Sequence, residues 1–424
     1  EIADHDVRAV ARVDRVGALT GDHQVIAAAG GDGVITGAAL DDRVTAIVRT
    51  PQGLVVTTVK QVRMQDARGG RRTTGTAGAA YHSLLLTSTG QLLIGTNNGL
   101  DEMHADGRRT DAIRGVSAGA LEATRGDAPF LLPSSRINAI TEARVLGRPV
   151  WLLSVFGYGV GVIDQATRQG FIEQVQLNDA PFENMFNGFY IDGRGQIWLW
   201  GRNSGLARGL GFANEARARA LLDGRIPCRG NCSDAAYLGM AADAHYGGPH
   251  APKGITGMIE AETGSFFIAT SDRGLLRFTP GSTTPYTPIA SLHNKLEGLA
   301  RDTKGRLWCV AASGFDVYDP GRGTWLRIDA TDGLPEKGVQ GAIHVLTPDT
   351  FAVGGHGCIV RFAPLDFRFP VVPPTVRLTH FRLFGKDADS LLSAAPIRLH
   401  HTQNFLSIAF TSFAYGSADK HRYQ

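Results

Sequence analysis

The sequence predicts an all-β fold, a seven- or eight-bladed β-propeller, on three grounds. A strand-turn-strand unit recurs along the chain, and its copies mostly repeat at about 40 to 50 residues, the length of one four-stranded blade. Glycine is in excess at 53 of 424 residues, as many tight turns would require.

The clearest copy holds the apolar run from Tyr81 to Leu86, the turn Ser88-Thr89-Gly90, a second run from Gln91 to Thr96, the turn Asn97-Asn98-Gly99 and a third strand ending at His104. Two more copies share the pattern Asp-x-x-Gly-x-Ile/Leu-Trp, at Asp192, Gly195 and Trp198 and at Asp302, Gly305 and Trp308. Weaker copies run from Ile140 to Asp164, Met258 to Phe278 and Ile343 to Phe362, and degenerate ones from Val16 to Gly37 and Val44 to Met64, eight in all. Val25 and Leu54, equivalent positions in the first two, are only 29 residues apart, too few for a blade. One N-terminal copy therefore either lacks its outer strand or completes the last blade by a ring-closing exchange, and seven and eight blades both stay open. The long intervals 105–133 and 209–253 read as loop insertions.

Each small sheet has two apolar faces and buries them only by stacking on its neighbours round the ring. Trp151, Trp198 and Trp308 are expected to wedge between adjacent sheets as core.

The 43 basic and 40 acidic residues are spread along the chain, which disfavours a phosphate-tracking surface and nucleic-acid binding. No stretch approaches the ~20 apolar residues that cross a bilayer. The start, Glu1-Ile2-Ala3-Asp4-His5, has no signal-peptide core, so the chain reads as a mature or excised soluble fragment. Cys309 and Cys358 sit singly in strand-like runs, while Cys228 and Cys232 flank a polar Arg-Gly-Asn stretch and could be a loop disulfide or two free thiols. No second Cys or His pair stands at zinc-ligand spacing, and neither a metal nor a cofactor is expected.

Catalytic motifs are missing. No Gly-x-Ser-x-Gly elbow or His-Glu-x-x-His helix occurs, and Gly30-Gly31-Asp32-Gly33 lacks the third glycine and following helix of a phosphate loop. The carboxylates Glu183, Glu260, Glu262 and Glu297 are scattered, so no catalytic residue is assigned. Ligands of a propeller usually meet loops at one mouth of the ring. The segments entering the innermost strands offer Arg43, Tyr81, His82, Arg136, Asn138, Asn187, Lys253, Asn294, Lys295, Lys337 and Gln340, with Asp42 and Asn184 beside them. This mixture of amide, cationic and aromatic groups suits a hydroxyl-rich or anionic small molecule such as an oligosaccharide or uronate.

The repeat resembles that of the two-component-regulator propeller family, carried by Leu92-Leu93-Ile94-Gly95-Thr96-Asn97-Asn98-Gly99-Leu100, by Asp332-Gly333-Leu334-Pro335 and by Leu132-Pro133-Ser134-Ser135-Arg136-Ile137. Leu93 stands where that family usually has Trp. The C-terminal segments Pro373 to Lys386, Ile397-Arg398-Leu399 and Asn404 to Phe410, with the aromatic run from Phe413 to Tyr423, resemble the start of the companion domain, the tyrosine-named Y_Y_Y β-sandwich. The resemblance implies a propeller over residues 1–368 and a truncated, immunoglobulin-like β-sandwich over 369–424. It also implies a periplasmic ligand-sensing ectodomain of an inner-membrane signal-transduction receptor, whose histidine kinase or diguanylate cyclase output and membrane segment are absent from this chain. A homodimer through the C-terminal sandwich would pass the signal on. The rival readings are a carbohydrate-active propeller enzyme and a protein-interaction scaffold.

Overall fold

Among the described residues seven mainly antiparallel sheets follow one another along the chain as blades, each led by a strand whose outer edge pairs with the next strand in sequence, and a further four-stranded sheet lies beside blades 3 and 4. In the computed structural model the described residues are 25–26, 35–37, 43–66, 71–74, 79–104, 108, 113–117, 130–177, 180–183, 185–201, 205–226, 238–248, 250–262, 264–312, 314–335, 338–355, 358–367, 377–393, 397 and 399–411. The innermost strands are Val44–Thr50, Tyr81–Leu86, Ile137–Val145, Phe186–Ile191, Ile255–Glu262, Leu296–Arg301 and Val339–Thr347, heading blades 1 to 7. Each touches the next, and Val339–Thr347 returns to Val44–Thr50, so the ring is closed.

Closure explains the short N-terminal interval. Ile35–Gly37 pairs antiparallel with Ile359–Phe362, the third strand of blade 7, and Val25–Ile26 adds to it. The first degenerate copy is thus the outer edge of the last blade, and the blades number seven. This exchange ties the two ends of the propeller by backbone hydrogen bonds and covers an edge that would otherwise template aggregation.

The intervals expected as plain insertions contain blade strands. Ile113–Val116 is the fourth strand of blade 2, with Leu132–Pro133 parallel to it, and Ala244–Tyr246 is the fourth strand of blade 4. Blade 4 carries the larger excursion before that strand. Its helix Glu215–Leu222 starts at Asn214, whose side-chain oxygen accepts from the Arg217 amide at 3.1 Å. Ala218, Leu221 and Leu222 of the helix join Phe171, Val162 and Val150 of blade 3 in one buried cluster.

Between blades the seams are aromatic. Trp198 meets Phe266 at 4.9 Å and Phe278 at 5.6 Å between ring centroids, while Trp308 meets Phe362 at 5.0 Å and Phe351 at 6.2 Å. Trp151 is buried with Leu93, Leu100 and Ile137. All three tryptophans are core, as their repeat positions predict.

A second compact unit is formed mainly by residues 367–424. Its described strands make a three-stranded antiparallel sheet, with Arg377–Leu383 between Lys386–Asp387 and Leu406–Thr411. Two expected strands are there, but Ile397 and Leu399 lie outside any strand, and a short 3-10 turn, Asp389–Ser393, precedes them.

Candidate functional site

One local device, a one-residue bulge, shapes the axial mouth in six of the seven blades. In blades 1 to 6 the register between the first and second strands skips one residue: Thr45, His82, Asn138, Asn187, Thr256 and Glu297. Blade 7 has a wider irregularity just after Gln340. A bulge of this kind frees one residue from the ladder and bends its strand. Because the other edge of each innermost strand is taken by its blade, the freed residues stand at the edge bordering the ring's centre.

The sequence writes this device as apolar, polar, small. It reads Val44-Thr45-Ala46, Tyr81-His82-Ser83, Ile137-Asn138-Ala139, Phe186-Asn187-Gly188, Ile255-Thr256-Gly257 and Leu296-Glu297-Gly298; Val339-Gln340-Gly341 of blade 7 has the same pattern, but there Gln340 stays paired with Gly354 and the skipped residues are Gly341 and Ala342. The third residue is small because neighbouring chain passes close by. A Cβ on Gly188 would stand 2.3 Å from the Trp200 ring, and one on Gly298 would stand 2.9 Å from the Gly341 carbonyl oxygen.

Several freed side chains tie one blade to the next. The Asn138 amide donates to the Phe186 carbonyl at 3.1 Å, Thr256 Oγ1 donates to the Leu296 carbonyl at 3.0 Å, and Glu297 Oε2 accepts from the Gly341 amide at 2.8 Å. Ser83 adds a tie to the Ile137 carbonyl at 2.9 Å. His82, Asn187 and Gln340 make no such bond among the described residues.

The predicted residues divide into two groups. On one side of the mouth, Lys295 Nζ lies 3.0 Å from Glu297 Oε1, with Arg43 near enough for its charge to act on the same carboxylate. Burial pushes Glu297 up, but the Gly341 amide, Lys295 and Arg43 together outweigh it and hold the carboxyl below its ordinary value. Asn294 is exposed, and its carbonyl is taken by the Gly274 amide at 2.6 Å. In this group the one carboxylate, Glu297, is already paired with Lys295.

On the other side lies a cleft of about 320 Å³ spanning blades 3, 4 and 5, bordered by Arg136, Phe156, Met185, Asn187, Thr256 and Ser271. Arg136 is exposed at the start of blade 3, and its carbonyl accepts from the Phe156 amide at 2.9 Å, which joins the strand start to the turn after the second strand. Its guanidinium lies over the Phe156 ring, 4.6 Å from the centroid. Burial, and then the charge of Arg136, lowers the pKa of His82 on the neighbouring blade, so the imidazole is neutral at pH 7.

Tyr81 does not join either group. It is fully buried with Val55, Leu92 and Ile94, because the first residue of the strand points into the seam between blades and the second one faces the mouth. Lys253 is exposed and its backbone amide donates to Asp272 at 3.2 Å. Lys337, Asp42, Asn184 and the pair Cys228 and Cys232 lie outside the described residues. Phe156, Met185, Thr256 and Ser271 were not singled out from the sequence. Thr256 was readable from the apolar, polar, small pattern, whereas Phe156 and Ser271 reach the cleft only through their turns.

The fold and this mouth define the class: a seven-bladed β-propeller closed by its own N-terminal strand, with an open cleft across three blades. No family model matches the sequence, and no curated protein sequence matches it. Solved structures do. The extracellular domain of BT4673 from B. thetaiotaomicron, described as a hybrid two component system, is similar with a TM-score of 0.52 at 16% identity, over 80% of this chain and 39% of that one. Virginiamycin B lyase from Staphylococcus aureus gives 0.53 at 12% identity over 76% and 95% of the two chains. The WD40 propeller domain of Doa1 gives 0.52 at 9% over 77% and 96%. The likeness is one of fold, and the chain spans well under half the length of the BT4673 domain.

Proposed function

We propose that this chain is the ligand-sensing part of an extracytoplasmic receptor, its propeller mouth taking a small polar molecule and its C-terminal sheet beginning the Y_Y_Y-type sandwich that relays the change toward a membrane. The observation that carries this reading is the mouth itself. Six one-residue bulges place side chains of different chemistry round one opening, and beside them a cleft of about 320 Å³ remains open, at the small end of ligand pockets. The repeat's resemblance to two-component-regulator propellers, and the fold likeness to one hybrid two component extracellular domain, agree with it.

The relay is a population shift between two arrangements of a homodimer, which requires the ligand to bind one arrangement more tightly. No catalytic step is assigned, because among the described residues Glu260, Glu262 and Glu297 do not converge on the cleft: Glu297 is held by Lys295 and Gly341, Glu260 accepts from the Gly193 amide at 2.8 Å, and Glu262 faces Arg277 at 3.6 Å.

The test is thermal unfolding of the purified chain against oligosaccharides, uronates, peptides and amino acids, with product analysis on each hit. A concentration-dependent rise in midpoint without product supports the sensor reading. Product formation would replace it with an enzyme, and binding only to a protein would replace it with a scaffold.

A further inference from the structure

The cleft across blades 3 to 5 has an uneven chemistry. Its one cation, Arg136, is exposed and has no carboxylate partner among the described residues. Its charge is oriented by the Phe156 ring, so little side-chain freedom remains to be lost on binding. Asn187 is exposed and its amide is unengaged among the described residues. Among the described residues no acidic side chain borders the cleft, and the nearest of them along the chain, Asp272, accepts from the Lys253 amide. The remaining wall is apolar: Phe156 is 37% exposed, and Met185 and Ile255 complete it.

We propose that this cleft binds a compact carboxylate, its charged group held by Arg136 with the Asn187 amide, and its carbon skeleton laid on Phe156 and Met185. A guanidinium matches a carboxylate through two parallel N–H···O bonds, and one cation balances one negative charge. A phosphate dianion would call for more cations or a helix N-terminus, and the described residues bordering the cleft supply neither. The proposal rests on the sensor reading only in taking the mouth as the ligand site. Two sources supply the chemistry, a sugar acid whose ring has an apolar face and an aromatic acid.

Calorimetric titration of the whole chain with glucuronate against glucose, and with phenylacetate against phenylacetamide, separates these sources and isolates the charge. The expected result is binding of at least one acid with its neutral counterpart ten-fold or more weaker. Arg136→Gln abolishes the difference while leaving the unfolding midpoint unchanged, and added salt narrows it. Equal binding of acid and neutral partner, retention of acid binding in the Arg136 variant, binding of neither acid, or tighter binding of inorganic phosphate would each overturn the proposal. A neutral ligand whose binding is lost in Asn187→Ala would sink the carboxylate site and leave the sensor reading standing. Both readings fall together only if no small molecule of either panel binds, seen as no titration heat and no rise in the unfolding midpoint.

Discussion

Trp198 donates its indole N–H to Asp192 Oδ2 at 3.0 Å, and the other oxygen of that carboxylate accepts from the Arg194 and Gln196 amides, each at 2.9 Å. Blade 6 repeats the arrangement with Asp302 and Trp308 at the same 3.0 Å. The repeat pattern Asp-x-x-Gly-x-Ile/Leu-Trp is therefore one unit: the carboxylate closes the turn and fixes the ring that fills the seam. Gly195 and Gly305 lie between them with φ of +77° and +82°, a conformation that glycine adopts without strain. In blade 2, Thr87 takes the aspartate's place in the turn, accepting from the Gln91 amide at 2.9 Å, and Leu93 takes the tryptophan's place.

Asp192→Ala and Trp198→Phe are expected to destabilise the propeller by about 1 to 3 kcal/mol each, since each leaves a buried polar group without its partner. The double variant should cost less than the sum, with a coupling on the order of 1 kcal/mol. Denaturant unfolding of the four proteins checks this, and strict additivity would show the bond to be incidental.

Asp302→Ala should cost more than Asp192→Ala. Asp302 also pairs with Arg306 at 2.6 Å, where the two side chains are 0% and 6% exposed. Removing the carboxylate breaks this buried ion pair, a loss of roughly 3 to 5 kcal/mol, while the Pro364 carbonyl still accepts from the guanidinium. The same unfolding measurement ranks the two variants.

The fold was legible because the propeller repeats its instructions. Glycine turns, second strands and tryptophans recur, so each weak match is supported by the others. Blade count was not legible, since Ile35–Gly37 is a short segment whose partner, Ile359–Phe362, lies more than three hundred residues away. Local pattern does not encode such a pairing. Site residues were half legible for a related reason: His82, Asn138 and Asn187 follow an apolar residue at a strand start, whereas Phe156 belongs to a turn whose position depends on the ring. Tyr81 shows the limit of reading polarity alone, because strand alternation sends it into the seam.

Deleting residues 1–37 removes the outer strand of blade 7 and leaves Ile359–Phe362 as an open edge. The expected outcome is a clear drop in the unfolding midpoint together with concentration-dependent association, because an unpaired edge templates other chains. Light scattering and thermal unfolding at several protein concentrations test it. A monomeric variant of unchanged midpoint would show that closure does not depend on this strand.

Glu173, at the outer edge of blade 3, is pushed up to about 7 by burial, against the opposing pull of the Met240, Gly239 and Leu238 amides. A raised carboxyl pKa means that the folded state holds its proton where the unfolded chain has released it. Stability therefore falls as pH rises from about 4.5 to about 7, by up to about 3 kcal/mol. Glu173→Gln should remove that slope and stabilise the protein at pH 8, with little effect at pH 4. Denaturant unfolding across this range decides it.

His344 acts in the opposite sense. It stands on the innermost strand of blade 7, paired in register with Ala352, which belongs to the apolar cluster joining blade 7 to blade 1. Although partly exposed as a residue, its imidazole is enclosed by protein, and burial lowers its pKa from 6.5 to about 4. The unfolded chain thus takes up a proton first, so stability is full above about pH 6.5 and declines as pH falls toward 4, by up to about 3 kcal/mol. Between pH 4.5 and 6.5 this slope offsets that of Glu173, and the wild type would look almost indifferent to pH there. His344→Leu should unmask the Glu173 slope, making the variant more stable at pH 5 than at pH 7. Identical pH profiles for the variant and the wild type would show that the histidine is solvated at the ring-closing seam.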